Sequence, residues 1–151
     1  MVEAKEGKPF VGKTGVWIRQ MLFNAGLPPQ ELFITNALCC RPPENRDPTV
    51  EEMEACWQWT EEQADIIKPR VVVAVGRFAA RMFIEPLQTG KQSMGDLHGT
   101  PCWSALFGYP MIVYPTYHPA AGLHNPDLKE VVAQDFQRLG GLMQRLYKEH
   151  G

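Results

Sequence analysis

The chain has 151 residues, 44% hydrophobic and 21% charged, with a formal net charge of −2. That is the composition of one soluble globular domain, long enough to bury roughly 68–70% of the surface its unfolded form exposes. It excludes a membrane span, because the longest apolar run, Val71 to Val75, is far below the ~20 residues a span needs.

Residues 1–13 are polar and glycine-containing and read as a loop; the opening MVEAKEGKPF has no apolar stretch of the kind a signal peptide carries. Thr14 to Asn24 places Trp17, Ile18, Met21 and Leu22 at helical spacing, and Gly26 with Pro28 and Pro29 stops that helix. ELFITNAL (31–38) reads as a strand, and CCRPPENRDP (39–48) as a long loop. Thr49 with Glu52 is a capping box that predicts a helix to about Lys68, ended by Pro69. VVVAV (71–75) is apolar and β-rich at every position, as in a parallel strand covered on both faces. Gly76 turns into a helix from Arg77 to about Ile84, and residues 85–109 read as glycine-rich and irregular. MIVYPT (111–116) is another buried strand, YHPAAGLHNP (117–126) a loop, and Asp127 the expected cap of a last helix to about Lys148.

This alternation predicts an α/β fold, with a central parallel sheet and helices on both faces, in one domain over 1–151. The chain opens with a loop and helix where such folds open with a strand, and a missing first strand accounts for that.

Charge is unevenly spread. Residues 51–70 hold six acids and two bases, leaving +2 for the other 131 residues. A polyanion can approach the side away from the acidic helix. Four cysteines without an export signal point to a reducing, cytoplasmic compartment.

Several residues are chemical candidates. Phe10, between a proline and two glycines, is either a loop residue plugging the core edge or a stacking platform for a planar ligand. Asn36, near the end of a predicted strand, either satisfies loop backbone or reads a pyrimidine edge with its donor and acceptor. His118 follows a strand directly; it is either a surface histidine or a donor, acid or base facing a leaving group. Cys40 and Cys56 flank the proline loop. With Cys39 and Cys102 they form no CxxC, so buried thiols are a better reading than metal ligands on spacing alone.

PFVGKTG, ITNALCCRPPENRDPTVEEMEAC, KPRVVVAVGRFAA and YPTYHPAAGLHNP together resemble the uracil-DNA glycosylases of family four, the iron–sulfur type. The resemblance spans about Lys5 to Gln137. It implies a three-layer sandwich around a parallel sheet and removal of uracil from DNA by hydrolysis of the N-glycosidic bond. It implies that Phe10 stacks on the flipped base, Asn36 reads its edge and His118 hydrogen-bonds its O2. It further implies that Leu123 lies in the loop that enters the duplex, and Gly76 with the following helix start is expected to hold a phosphate. Cys40 and Cys56 correspond to two of the four ligands of a 4Fe-4S cluster.

The family's Gly-Glu-Ala-Pro-Gly segment and its upstream CxxC have no counterpart here, and Cys39 and His98 stand where members usually have Lys and Arg. The expectation is therefore a chain lacking the first strand, with an incomplete or absent cluster and little activity of its own. It would be a monomer acting on uracil-containing DNA away from membranes; the alternative is a non-catalytic DNA- and uracil-binding remnant.

Overall fold

The computed structural model describes residues 13–27, 32–33, 49–118, 121–122 and 125–150. They fall into two compact units, one of residues 36–116 and one of residues 1–35 with 117–151.

In the first unit, helix α2 (Val50–Ile67) follows helix α1 (Lys13–Asn24) of the other unit in chain order. Its capping box forms as expected. The Thr49 hydroxyl accepts from the Glu52 N–H, and the Glu52 carboxylate accepts from the Thr49 N–H, both at 3.1 Å. Lys68 closes the helix in the left-handed conformation, and Pro69 prevents continuation. Strand β1 (Val71–Val75) leads through Gly76 into α3 (Arg77–Phe83), followed by the short helices α4 (Glu85–Gln88) and α5 (Met94–Leu97). Strands β2 (Cys102–Ser104) and β3 (Met111–Thr116) complete the sheet, in the order β1-β3-β2.

β1 and β3 are parallel, from Val71 opposite Ile112 to Val75 opposite Thr116. β2 is antiparallel to β3, so the sheet among the described residues is mixed rather than wholly parallel. The reason is local: residues 105–110 reverse the chain within a hairpin, whereas a parallel neighbour needs a long crossover. The segment 85–109 thus holds two helices and a strand where the sequence reads as irregular. β3 is buried at all six positions. β1 is half-buried except at Ala74, because β3 is its sole neighbour among the described residues. The expected strand 31–38 lies, apart from residues 32–33, outside the described residues.

α2 meets the rest of its unit through an aromatic trio. Trp57 stacks on Phe107, with centroids 5.5 Å apart, and meets Phe83 edge-on at 5.3 Å.

The second unit pairs α1 with α6 (Pro126–His150). Ile18, Met21 and Leu22 of α1 are buried, as are Val132, Phe136 and Leu139 of α6, the i, i+3, i+4 pattern of facing helix stripes. α6 is capped by Asn125 and not by Asp127: the Asn125 Oδ1 accepts the Asp127 N–H at 3.1 Å. Pro126 decides this, since its fixed φ and missing N–H suit the first helical position and make the preceding residue the cap.

Candidate functional site

The C-terminal end of β3 is built to be rigid. The Gly76 N–H donates to the Thr116 carbonyl at 2.9 Å, and the Gly99 N–H to the Pro115 carbonyl at 2.7 Å. Both glycines have positive φ, 91° and 70°. In a strand a residue's N–H and C=O leave on the same side, so the N–H that Pro115 lacks would have faced Gly99 and not β1. The ladder with β2 ends at Val113, two residues earlier, which is how a central strand tolerates a proline.

His118 comes two residues after this strand end and is half-buried. Its carbonyl accepts the Ala121 N–H at 2.9 Å, and the Ala121 carbonyl accepts the Asn125 N–H at 3.0 Å. With the Asn125 cap, an unbroken series of bonds runs from His118 to the start of α6. Gly122 is buried within this turn.

Gly76 stands at φ 91°, ψ 166° as the cap of α3. Its own N–H is taken by Thr116, so any phosphate contact at this place falls to the amides that follow it. Arg77 brings a positive charge to the same helix start, its guanidinium 5.1 Å from the Phe78 ring centroid.

Cys56 is buried on α2, and its backbone carbonyl accepts the Thr60 hydroxyl at 3.3 Å. Cys102 lies half-buried on β2; burial pushes its thiol pKa up, which favours the inert thiol over the metal-binding thiolate. Among the described residues no group of three or more His, Cys, Asp or Glu side chains is placed to hold a metal ion. A 4Fe-4S cluster takes four thiolates. The described cysteines alone therefore do not fit one, and no chemical step is assigned to it. Phe10, Asn36, Cys40 and Leu123 lie outside the described residues, as does their convergence with His118.

Residues 1–139 match the model of the Uracil DNA glycosylase superfamily. The chain belongs to this superfamily. Among its relatives, the type-4 uracil-DNA glycosylase of Archaeoglobus fulgidus is 39% identical over 140 residues, 93% of this chain and 70% of that protein. The type-4 enzyme of Sulfurisphaera tokodaii is 38% identical over 138 residues, 91% of this chain and 63% of that protein. That of Saccharolobus solfataricus is 36% identical over 135 residues, 89% of this chain and 62% of that protein. The chain thus spans less than two thirds of the length of the last two relatives. Among the described residues no helix is long and apolar enough to cross a membrane.

Proposed function

We propose that this chain is a uracil-DNA glycosylase that hydrolyses the N-glycosidic bond of uracil in DNA, with little activity on its own, and that His118 is the donor to the departing base. The observation that carries this reading is the placement of His118. It follows a fully buried strand whose last carbonyls are clamped, in a chain similar over about nine-tenths of its length to type-4 uracil-DNA glycosylases.

The chemistry asks for such a group. The bond from C1′ to N1 breaks and both its electrons leave with uracil. The oxygen of a water bonds C1′, and the proton it sheds is taken up by the medium or the base. Negative charge therefore grows on the uracil ring, mostly at its carbonyl oxygens. A fixed donor at O2 lowers the barrier because it is already oriented before the charge appears. Extruding the base costs a few kcal/mol, which stacking on Phe10 and insertion of Leu123 offset in this reading. Asn36 pairs with the pyrimidine edge, and the start of α3, with Gly76 and Arg77, takes a phosphate. Cys40 and Cys56 correspond to two of the four ligands that a 4Fe-4S cluster takes, so the cluster of this chain is incomplete or absent. The full arrangement is a monomeric three-layer sandwich with helices on both faces of the sheet.

Uracil release from a single-stranded oligonucleotide tests the reading. His118→Ala should slow release by about 10²–10³-fold. Release at the unsubstituted rate would remove His118 from the mechanism. Uracil-dependent binding without any release would favour the non-catalytic alternative.

A further inference from the structure

The turn that carries His118 is held from behind by a residue with no assigned role. Gly122 is buried between the first turn of α6 and the tip of Trp17 on α1. A Cβ at Gly122 would lie 2.8 Å from Trp17 Cη2, 3.0 Å from Lys129 Cα and 3.3 Å from Lys129 N. Contacts below 3.0 Å require something to move, so a side chain at this position displaces the Trp17 ring tip and also presses on the Lys129 backbone. Trp17 is itself positioned from two sides. Its helix is fixed by the buried residues Ile18, Met21 and Leu22, and the Lys129 ammonium stands 5.9 Å from its ring centroid. Gly122 in turn follows Ala121, whose N–H bonds the His118 carbonyl.

We infer that Trp17 is a positioning residue for His118, acting through Gly122: the indole presses the turn against α6 and so sets where the imidazole stands. Proteins hold a reacting group accurately only when the groups behind it are locked by packing. Here the ring of a half-buried tryptophan supplies that lock, and the peptide of a glycine is the surface it bears on. The inference rests on the proposed role of His118.

Binding rather than turnover provides the test, because it reads the same contact in an enzyme or in a binding remnant. The full chain is titrated with two single-stranded oligonucleotides, one carrying non-cleavable 2′-fluoro-2′-deoxyuridine and one carrying deoxyadenosine at the same place. The ratio of their Kd values reports the base pocket. A variant that merely unfolds part of the population lowers the active fraction for both and leaves the ratio unchanged. Trp17→Ala should lower the ratio by about 3- to 10-fold, the scale of one misplaced hydrogen bond. Gly122→Ala should lower it at least as much. Gly122→Ala with Trp17→Phe, which removes the colliding ring edge, should recover part of it.

His118→Ala is the reference. If it abolishes the preference while Trp17→Ala leaves it intact, the inference is overturned and the role of His118 stands. If His118→Ala itself leaves the preference unchanged, or the unsubstituted chain has none, the proposed function fails and takes the inference with it. A double variant no better than Gly122→Ala alone would also count against the Trp17–Gly122 contact.

Discussion

Replacing Gly76 by alanine probes the strand-end geometry on which the site depends. Gly76 has φ 91° and ψ 166°, a combination that only glycine adopts without strain. A side chain there costs of the order of 1–3 kcal/mol. Alanine also restricts the unfolded chain, which offsets about 0.4–1 kcal/mol. The difference spans about 0–2.6 kcal/mol, and the expected net loss is taken near its middle, at about 1–2 kcal/mol. In a chain of this length each kcal/mol shifts Tm by about 2–4 °C, so Gly76→Ala should melt about 2–8 °C lower. The backbone has one way to escape the strain, which is to swing away and give up the 2.9 Å bond to the Thr116 carbonyl. That route costs about 0.5–1.5 kcal/mol and also disorders the end of β3. Gly76→Asn sharpens the test. Asparagine tolerates the left-handed helical region, but ψ 166° lies far outside it, so no rescue is expected. Thermal and urea unfolding followed by far-ultraviolet circular dichroism read both variants. An alanine variant as stable as the parent, or an asparagine variant more stable than alanine, would refute the reasoning.

Three further outcomes are expected. Thr49→Ala removes the hydroxyl that accepts the Glu52 N–H, leaving the bond from the Thr49 N–H to the Glu52 carboxylate, and should destabilise by about 0.5–2 kcal/mol, read as a lower urea midpoint. A double-mutant cycle between Trp57 and Phe107 should give a coupling of about 0.5–1.5 kcal/mol, and a value near zero would remove the stacked pair from the core of its unit. The Tyr109 hydroxyl is buried without a hydrogen-bond partner among the described residues, and burial, then the nearby Asp65 carboxylate, raises its pKa above the usual value near 10. The folded state thus prefers the neutral phenol: its contribution is complete below pH 10 and is lost as pH rises toward the folded pKa. Tyr109→Phe should therefore leave stability at pH 7 equal or higher and flatten the decline above pH 10, measured by urea unfolding across pH.

Different parts of this structure were legible for different reasons. The capping box reads straight from Thr49 and Glu52 because both partners lie within one turn. The parallel pair reads from the β-branched run of 71–75 and the apolar run of 111–116. β2 escapes notice because three residues, Cys102 to Ser104, show no alternation, and Trp103 is exposed on the sheet edge. The cap of α6 is ambiguous in sequence because Asn125 and Asp127 both offer an acceptor, and only the proline between them sets the register. In the candidate site, His118 is legible because it sits directly beyond a strand. The Trp17–Gly122 contact is not: Trp17 reads as one more apolar helix position and Gly122 as one more loop glycine. They meet only through the packing of α1 on α6, which no local pattern encodes.

The end of β3 stays bonded beyond both of its neighbouring strands. A strand normally frays where its neighbours stop, since its last carbonyls must find water or a side chain. β3 loses β2 after Val113 and reaches the end of β1 at Thr116, yet its carbonyls at 115 and 116 remain bonded. The donors are backbone amides of two glycines, from the turn after β1 and from the turn after α5. Backbone donors have no rotamers to order, so they hold these carbonyls at little entropic cost, and positive φ lets each glycine aim its N–H without strain. Pro115 adds stiffness of its own by fixing φ inside the strand. The end of β3 is therefore held at both of its last carbonyls, and substitution of either glycine should be felt at Pro115 and Thr116 before it is felt in the rest of the sheet.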